Sequence, residues 1–208
     1  MKEYLEYGHE SDQPSHIRKY VLDAIVRQLG TKKERTILDV GCGNGWLSRD
    51  LLSIGYNVYG IDASPQGIAI ARNTHPDRFF LQDITSELLP EELRGIDFDT
   101  VVSTEVIEHL YNPGNYLDFI RFVLNNSPGS ELVLTTPYHG YLKHLALAVT
   151  GKMDAHLNVL QVGGHIKFFS RKTLTELLHM CGFDVVHFEG CGRLPLLWKS
   201  MLVKAIIA

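Results

Sequence analysis

Acidic and imidazole side chains are concentrated in one short stretch of the chain, from Glu105 to His109. Glu105 and Glu108 are three residues apart and His109 follows directly, so a helix that starts near Glu105 would bring them onto a shared face. His139 and His165 come later in the sequence. Two carboxylates and two imidazoles can bind a divalent cation, whereas one imidazole can serve as a general base without a metal. The pattern leaves both chemistries open, together with a purely structural role.

A glycine-rich loop contains Gly41, Gly43 and Gly45, and it joins a buried strand to a helix. Glycine lets the backbone approach a ligand closely and adopt positive φ angles. A dinucleotide fingerprint needs a third glycine where this chain has Trp46, so a pyrophosphate fits poorly. Asp62, 21 residues beyond Gly41, can accept both hydroxyls of a ribose. These features predict a nucleoside cofactor without phosphate and argue against an NAD-dependent oxidoreductase.

Short β-rich runs alternate with helical periodicity along the chain, which indicates an α/β fold. The predicted strands are residues 36–40, 57–61, 79–82, 98–103, 131–135, 183–188 and 201–207. Helices are predicted at 16–29, at 45–52, after the N-cap residue Ser64 and after the N-cap residue Ser170. The last two strands leave no room for a helix between them, so a hairpin is expected. We therefore expect a seven-stranded, mostly parallel sheet with one antiparallel strand and helices on both faces.

Composition and charge limit the partners and the location that we expect. The 208 residues carry a net charge of −4, whereas a surface that holds polyphosphate usually has a basic excess, so nucleic acid is not an expected partner. Cys42, Cys181 and Cys191 form no CxxC pair, which is typical of a reducing compartment and gives no cysteine zinc site. No apolar stretch is long enough to span a bilayer, and the polar N-terminus does not resemble a signal peptide. A cytoplasmic location is the expectation.

Four segments, in order along the chain, resemble the motifs of class I (Rossmann-like) S-adenosylmethionine (SAM)-dependent methyltransferases. They are Ile37 to Gly45, Gly60-Ile-Asp-Ala-Ser64, Leu81-Gln-Asp-Ile84 and Ser103 to Leu110. The resemblance implies that the first motif holds the amino-acid part of SAM, that Asp62 bonds the ribose and that Asp83 bonds the adenine amine beside Ile84. The implied cofactor-binding residues are Asp39, Gly41, Cys42, Gly43, Asn44, Asp62, Ala63, Asp83, Ile84 and Thr104.

The Glu-x-x-Glu-His pattern is similar to that of two metal-dependent families, the small-RNA 2′-O-methyltransferases and, in a looser form, the ubiquinone-biosynthesis O-methyltransferases. In the RNA family a further histidine precedes a Lys-Phe pair, as His165 does here. This resemblance implies Glu105, Glu108, His109 and His165 as ligands of Mg²⁺ or Zn²⁺, which would lower the pKa of a substrate hydroxyl. The Glu-His pair also occurs widely in the class without a metal, where the histidine lines the substrate pocket. Glu108 and His109 are the predicted catalytic residues.

We expect residues 1–208 to form a single methyltransferase domain. Residues 1–35 would form an N-terminal helical cap, and residues 137–169, inserted after the fifth strand, would form a substrate lid. Tyr4 and Tyr7 would close over the cofactor as a flap. These expectations assign the cofactor to the glycine loop and the acceptor to the lid.

Two apolar segments, 141–149 and 194–198, are compatible with an apolar acceptor, a dimer face or ordinary core packing. The resemblance is nearest to the ubiquinone-biosynthesis-like branch, and it favours transfer of a methyl group from SAM to a small-molecule acceptor, on oxygen. The alternatives are a metal-dependent RNA 2′-O-methyltransferase, which the acidic balance disfavours, and a non-catalytic SAM-binding module. The sequence defines neither the acceptor nor the oligomeric state.

Overall fold

The structure is a computed structural model that describes residues 11–84, 88–157, 160 and 163–208. The expected flap residues Tyr4 and Tyr7 lie outside these ranges. Within them, one sheet is formed by seven strands: β1 (Thr36–Val40), β2 (Asn57–Asp62), β3 (Phe79–Leu81), β4 (Thr100–Thr104), β5 (Glu131–Pro137), β6 (Phe183–Cys191) and β7 (Ser200–Ile207). The predicted strands are all present, with ends that differ by up to three residues.

The strands are arranged in the order β3-β2-β1-β4-β5-β7-β6. The pairs among β1 to β5 are parallel. Strand β7 runs antiparallel to both β5 and β6, and it lies one position from the edge of the sheet. The expected single antiparallel strand and the expected hairpin of the last two strands are both confirmed.

Helices connect the strands and cover the sheet. They are α1 (Arg18–Leu29), α2 (Trp46–Ser53), α3 (Pro65–Arg72), α4 (Pro113–Val123), α5 (Tyr141–Val149), α6 (Met153–Leu157) and α7 (Arg171–Met180), with short 3-10 turns at Glu91–Leu93 and Ile107–His109. Ser64 caps α3 by accepting a hydrogen bond from the Gly67 N–H over 3.0 Å, as predicted. None of the helices in the described ranges has the length and apolar character needed to cross a membrane.

Alternate residues of the central strands pack against different helices. Leu38, Val40 and Val101 lie in the cluster that contains the inward sides of α4 and α7. Ile37 and Val102 lie in the cluster that contains α1 and α2. Side chains of successive strand residues point to opposite faces, so both faces of the sheet are buried. This three-layer arrangement, with helices on both faces, agrees with the expected fold.

The segment after β4 differs from its expected helical form. Glu105 adopts a φ of 56°, and its N–H donates to Thr135 O over 3.0 Å. This bond to β5 extends the pairing of the strands past the end of β4, so the chain turns before any helix begins. Helical geometry is limited to the single 3-10 turn Ile107–His109. Glu105 and Glu108 therefore do not share the face of a regular helix.

Candidate active site

The predicted cofactor residues gather at the carboxyl edge of the parallel strands. The glycine loop follows β1, Asp62 ends β2, and Thr104 ends β4. Since β1 pairs in parallel with both β2 and β4, the ends of these strands meet at one edge. Open α/β sheets bind ligands in this position, outside the carboxyl ends of the strands.

The glycine loop has a backbone that side chains would distort. Gly41 and Gly45 have φ angles of 79° and 77°. A Cβ atom on Gly41 would overlap the side chain of Val106, and one on Gly45 would lie 2.8 Å from the Cβ of Ala71. The Gly41 N–H donates to Ile61 O over 2.9 Å, which binds the loop to β2. Contact with Val106 also packs the loop against the segment that carries Glu108 and His109.

Asp62 connects the glycine loop to the start of α3. Its carboxylate accepts hydrogen bonds from the Gly43 N–H over 2.8 Å and from the Ser64 N–H over 2.7 Å. These two bonds fix the orientation of the carboxylate at the end of β2. The N–H of Gln82 donates to Asp62 O over 2.9 Å, which brings the start of the third motif to the same place.

Other predicted cofactor residues have structural partners of their own. Asp39 is buried and accepts from the Ser48 hydroxyl over 2.6 Å, and burial raises its pKa to about 7. The Asn44 side chain donates to Ser11 O over 2.8 Å, so it holds the segment before α1 against the loop. Cys42 is buried, and burial raises the pKa of its thiol.

The remaining predicted contacts lie around the same edge. Asp83 is exposed, Ile84 packs partly buried against the core, and Ala63 is half-buried beside Asp62. The hydroxyl of Thr104 is buried, and none of the residues that the structure describes forms a hydrogen bond with it. The cofactor contacts that the motif resemblance implies for these residues stay predictions.

Glu108 is the most deeply buried acid of the candidate site. Its side chain is fully buried, and one oxygen, Oε2, accepts from the Thr136 hydroxyl over 2.9 Å. The other oxygen, Oε1, lies 3.8 Å from His109 Nε2 and 3.9 Å from His165 Nε2. No atom of the described chain makes a hydrogen bond with Oε1.

Backbone contacts hold the distant His165 in this group. The N–H groups of Ile166 and Lys167 both donate to Glu108 O over 2.9 Å. His109 Nδ1 lies 2.9 Å from Gly163 O, and since a carbonyl oxygen only accepts, this nitrogen carries the proton of a neutral ring. Nε2 of His109 then presents its lone pair on the side of Glu108. Ligating histidines typically have this arrangement, with the other ring N–H bonded to a carbonyl.

Burial determines the charge of the group when no cation is bound. It raises the pKa of Glu108 well above the usual range, and the charge of Glu105 raises it further. Burial also lowers the pKa of His109, and it lowers the pKa of His165 to about 4. Without a cation, the acid is hard to ionise and the imidazoles are hard to protonate. A bound cation would stabilise the ionised carboxylate and accept the lone pairs of the neutral imidazoles.

Glu105 lies apart from this group. Glu108, His109 and His165 each offer a ligand atom within 4.8 Å of the others, and Glu105 is not among them. Its Oε1 accepts from the Thr135 hydroxyl over 3.0 Å instead, and burial raises its pKa to about 7. Three of the four predicted ligands are thus brought together.

A buried lysine at this edge was not predicted. Lys143 is buried, its Nζ donates to Tyr138 O over 2.7 Å, and burial lowers its pKa to about 8. Its positive charge lowers the pKa of Glu105, against the larger effect of burial. In the sequence, Lys143 is a single lysine at the otherwise apolar start of α5, and this pattern predicts a solvent-facing side chain.

Comparison with known proteins identifies the family to which the chain belongs. Residues 15–188 match the family described as "Methyltransferase domain". The chain belongs to this methyltransferase family. The match contains the glycine loop, Asp62 and the Glu108 group, so all three belong to the methyltransferase domain.

Relatives of this methyltransferase include two enzymes named ubiquinone biosynthesis O-methyltransferase. The protein from Cereibacter sphaeroides is 31% identical over 196 residues, which is 87% of this chain and 77% of the relative. The protein from Roseobacter denitrificans is 33% identical over 172 residues, which is 80% of this chain and 66% of the relative.

Solved structures share the fold of this methyltransferase. The magnesium protoporphyrin IX methyltransferase from Synechocystis PCC 6803 with bound SAH is 20% identical with a TM-score of 0.67, covering 90% of this chain and 82% of that one. A SAM-dependent methyltransferase from Aquifex aeolicus is 17% identical with a TM-score of 0.68, covering 95% of each chain. Family, relatives and fold together identify a SAM-dependent methyltransferase, as the sequence predicted.

Proposed function

We propose that this methyltransferase transfers the methyl group of SAM to an oxygen atom of a small, apolar acceptor. The observation that carries the proposal is the group of Glu108, His109 and His165 at the carboxyl edge of the sheet, beside the glycine loop. The names of the two curated relatives support oxygen as the acceptor atom. The acidic balance of the chain supports a small molecule over RNA.

The exposed surface near the site supports an apolar acceptor. Lys143 is the buried side chain of α5, whereas most of the helix's apolar side chains face outward. The large apolar residues that are exposed on α5 and on the loop between β6 and β7 are Tyr141, Leu142, Leu145, Val149, Leu194 and Leu196. Ordinary core packing therefore does not explain this part of segments 141–149 and 194–198. An exposed apolar surface is typical of a binding site.

The residues present fit a divalent cation, and the two imidazoles favour Zn²⁺ over Mg²⁺, which prefers oxygen ligands. Glu108 Oε1 is buried and near two imidazole nitrogens, and a carboxylate with two imidazoles is a suitable donor set. Glu108, His109 and His165 would hold the ion. A bound cation supplies Lewis acidity, which favours loss of the proton from a hydroxyl group.

The chain's own residues position the two substrates. Asp62 and the glycine loop hold the nucleoside and amino-acid parts of SAM, and the Glu108 group receives the hydroxyl end of the acceptor. The hydroxyl proton is released to solvent, the acceptor oxygen forms a bond to the methyl carbon while the carbon–sulfur bond breaks, and the bonding pair stays on sulfur. Orientation of this kind contributes about 7–11 kcal/mol to barrier lowering.

A screen of acceptors tests the proposal. The purified enzyme is given SAM and a series of phenols and catechols with and without an apolar tail, alongside a short RNA and an aliphatic amine. We expect SAH release and a methyl ether, detected by mass spectrometry, from a hydroxyl compound with an apolar tail. Methylation of the RNA or of nitrogen, with no methyl ether from any phenol, would contradict the proposal.

A further inference from the structure

Three histidines outside the Glu108 group converge beside it. His139 follows β5, His144 lies on α5 and His156 lies on α6. His139 Nδ1 is 2.9 Å from His144 Nε2. The ring centre of His156 lies 5.6 Å from that of His139 and 6.3 Å from that of His144. One ring nitrogen from each residue lies within 4.8 Å of the other two.

The hydrogen bonding of these rings is incomplete. A neutral imidazole has one donor and one acceptor nitrogen. The Nε2 atoms of His139 and His156 are both buried, and no hydrogen-bond partner for either exists among the described residues. Buried polar atoms in native proteins nearly always have a partner. Two such atoms in neighbouring rings indicate that a ligand completes the cluster.

The position of His139 is fixed by its surroundings. Its side chain is buried, and its ring packs edge-on against Phe168 at 5.0 Å between centres. Its backbone N–H donates to Phe169 O over 3.0 Å. One nitrogen donor of the cluster is therefore held rigidly against the sheet. The other two come from α5 and α6, which lie next to each other.

We propose that His139, His144 and His156 form a zinc site that is separate from the Glu108 group. An all-imidazole donor set suits zinc, whereas Mg²⁺ requires oxygen ligands. Tetrahedral zinc with bonds of about 2.0–2.1 Å places its nitrogen ligands about 3.3 Å apart. One ring nitrogen from each of the three histidines lies within 4.8 Å of the other two, a range that includes that value. Three protein ligands leave the fourth position for water or another small ligand.

Two nearby positive charges oppose the ion. Besides burial, Lys143 lowers the pKa of both His139 and His156, and Arg193 lowers the pKa of His156. The Lys143 Nζ is directed toward carbonyl oxygens, those of Tyr138 and Lys199. The repulsion lowers the affinity without occupying the ligand positions, so Lys143→Met is expected to bind zinc more tightly.

The site would fasten α6 to the rest of the protein. Helix α6 has five residues, and none of its side chains is fully buried. Apolar packing therefore contributes little to holding this helix in place. A zinc ion shared by α6, α5 and the end of β5 would supply the missing stabilisation and close this part of the 137–169 segment over the sheet edge.

The test separates the two possible sites by mutation. Full-length protein without a histidine tag and carrying Glu108→Gln is titrated with zinc alone, and its metal content is measured. We expect about one zinc ion per chain and, in X-ray absorption spectra, a shell of three imidazole nitrogens and one oxygen atom from water. In the same background, His144→Ala with His156→Ala should weaken zinc binding by more than about 100-fold, because loss of outer-shell partners alone costs 10–100-fold. His179→Ala, which removes an exposed histidine of α7, is the matched control and should change nothing.

Proteolysis gives a second measurement. Lys152 is exposed between α5 and α6, so zinc should slow tryptic cleavage there in the parent protein and have no effect in the double histidine variant. His165→Ala replaces Glu108→Gln as the background if the latter does not fold. Retention of zinc by the double variant, or a Glu108→Gln protein that binds less than about a tenth of an equivalent, overturns the proposal. Neither result alters the methylation assay, so the proposed function is judged separately.

Discussion

The backbone N–H of Gly43 donates to the Asp62 carboxylate over 2.8 Å, so the glycine loop and the acid at the end of β2 form one unit. The same carboxylate accepts from the Ser64 N–H, at the N-terminus of α3. Asp62 thus holds the glycine loop in place, and in the proposed function it also contacts the ribose of SAM. A change at Asp62 tests both tasks.

Asp62→Ala should weaken the binding of SAH by about 10–100-fold, because a charge-assisted hydrogen bond contributes about 1.5–3 kcal/mol. Isothermal titration calorimetry measures the loss. Asp77→Ala, at an exposed aspartate that precedes β3, is the control and should bind SAH normally. Unchanged affinity in folded Asp62→Ala would show that the cofactor binds elsewhere.

Gly41→Ala should destabilise the fold more than Gly55→Ala does. Both positions have positive φ, but a Cβ on Gly41 overlaps Val106, whereas a Cβ on Gly55 meets nothing within 4 Å. The backbone cost alone is about 1–2 kcal/mol, and overpacking adds about 1–3 kcal/mol. Urea denaturation measures the free energies of unfolding. Adding Val106→Ala should recover part of the loss at Gly41 and none at Gly55; equal costs for the two alanine variants would contradict the packing argument.

Asp39 should make the protein less stable as the pH rises from about 4 to 7. Burial raises its folded-state pKa to about 7, whereas the unfolded value is about 3.9. The folded state therefore binds more protons in this range, and the stability that Asp39 contributes at low pH is lost as the pH rises through the folded pKa. Asp39→Asn should flatten the decline, measured by urea denaturation at successive pH values. Asp77→Asn is the control, and an unchanged slope in Asp39→Asn would contradict the shift.

The sheet could be predicted from the sequence because its strands are covered on both faces. Ile37 and Leu38 contact opposite layers, so the strand is apolar on both faces apart from Asp39, and the glycine loop marks its end. The ends of the strands were less accurate, since β5 continues to Pro137 through its pairing with β7. That pairing is a contact between residues more than sixty positions apart, which local pattern does not contain.

The candidate site was predictable only in part, because tertiary contacts override local preference there. Glu105 belongs to a stretch with helical spacing, yet it has a positive φ and its N–H bonds to Thr135 O, and its carboxylate is not among the ligand atoms that gather at Glu108. The cluster of His139, His144 and His156 depends on how α5 and α6 fold back, and single histidines in separate segments carry no signal of that. His165 was found through a motif resemblance, and the bonds from Ile166 and Lys167 to Glu108 O explain its position.

The proposed cation site makes a prediction in which two histidines act together. His109→Ala and His165→Ala should each lower both turnover and the metal content at the Glu108 group, while SAH affinity is retained, because the proposed cofactor contacts lie on the glycine loop and Asp62. Metal analysis in the His144→Ala and His156→Ala background removes the second site from the count. If His109 is instead a general base without a metal, His109→Ala alone lowers turnover, His165→Ala has little effect, and EDTA leaves the wild-type rate unchanged. That combination would eliminate the cation and leave His109 as a catalytic residue of the pocket.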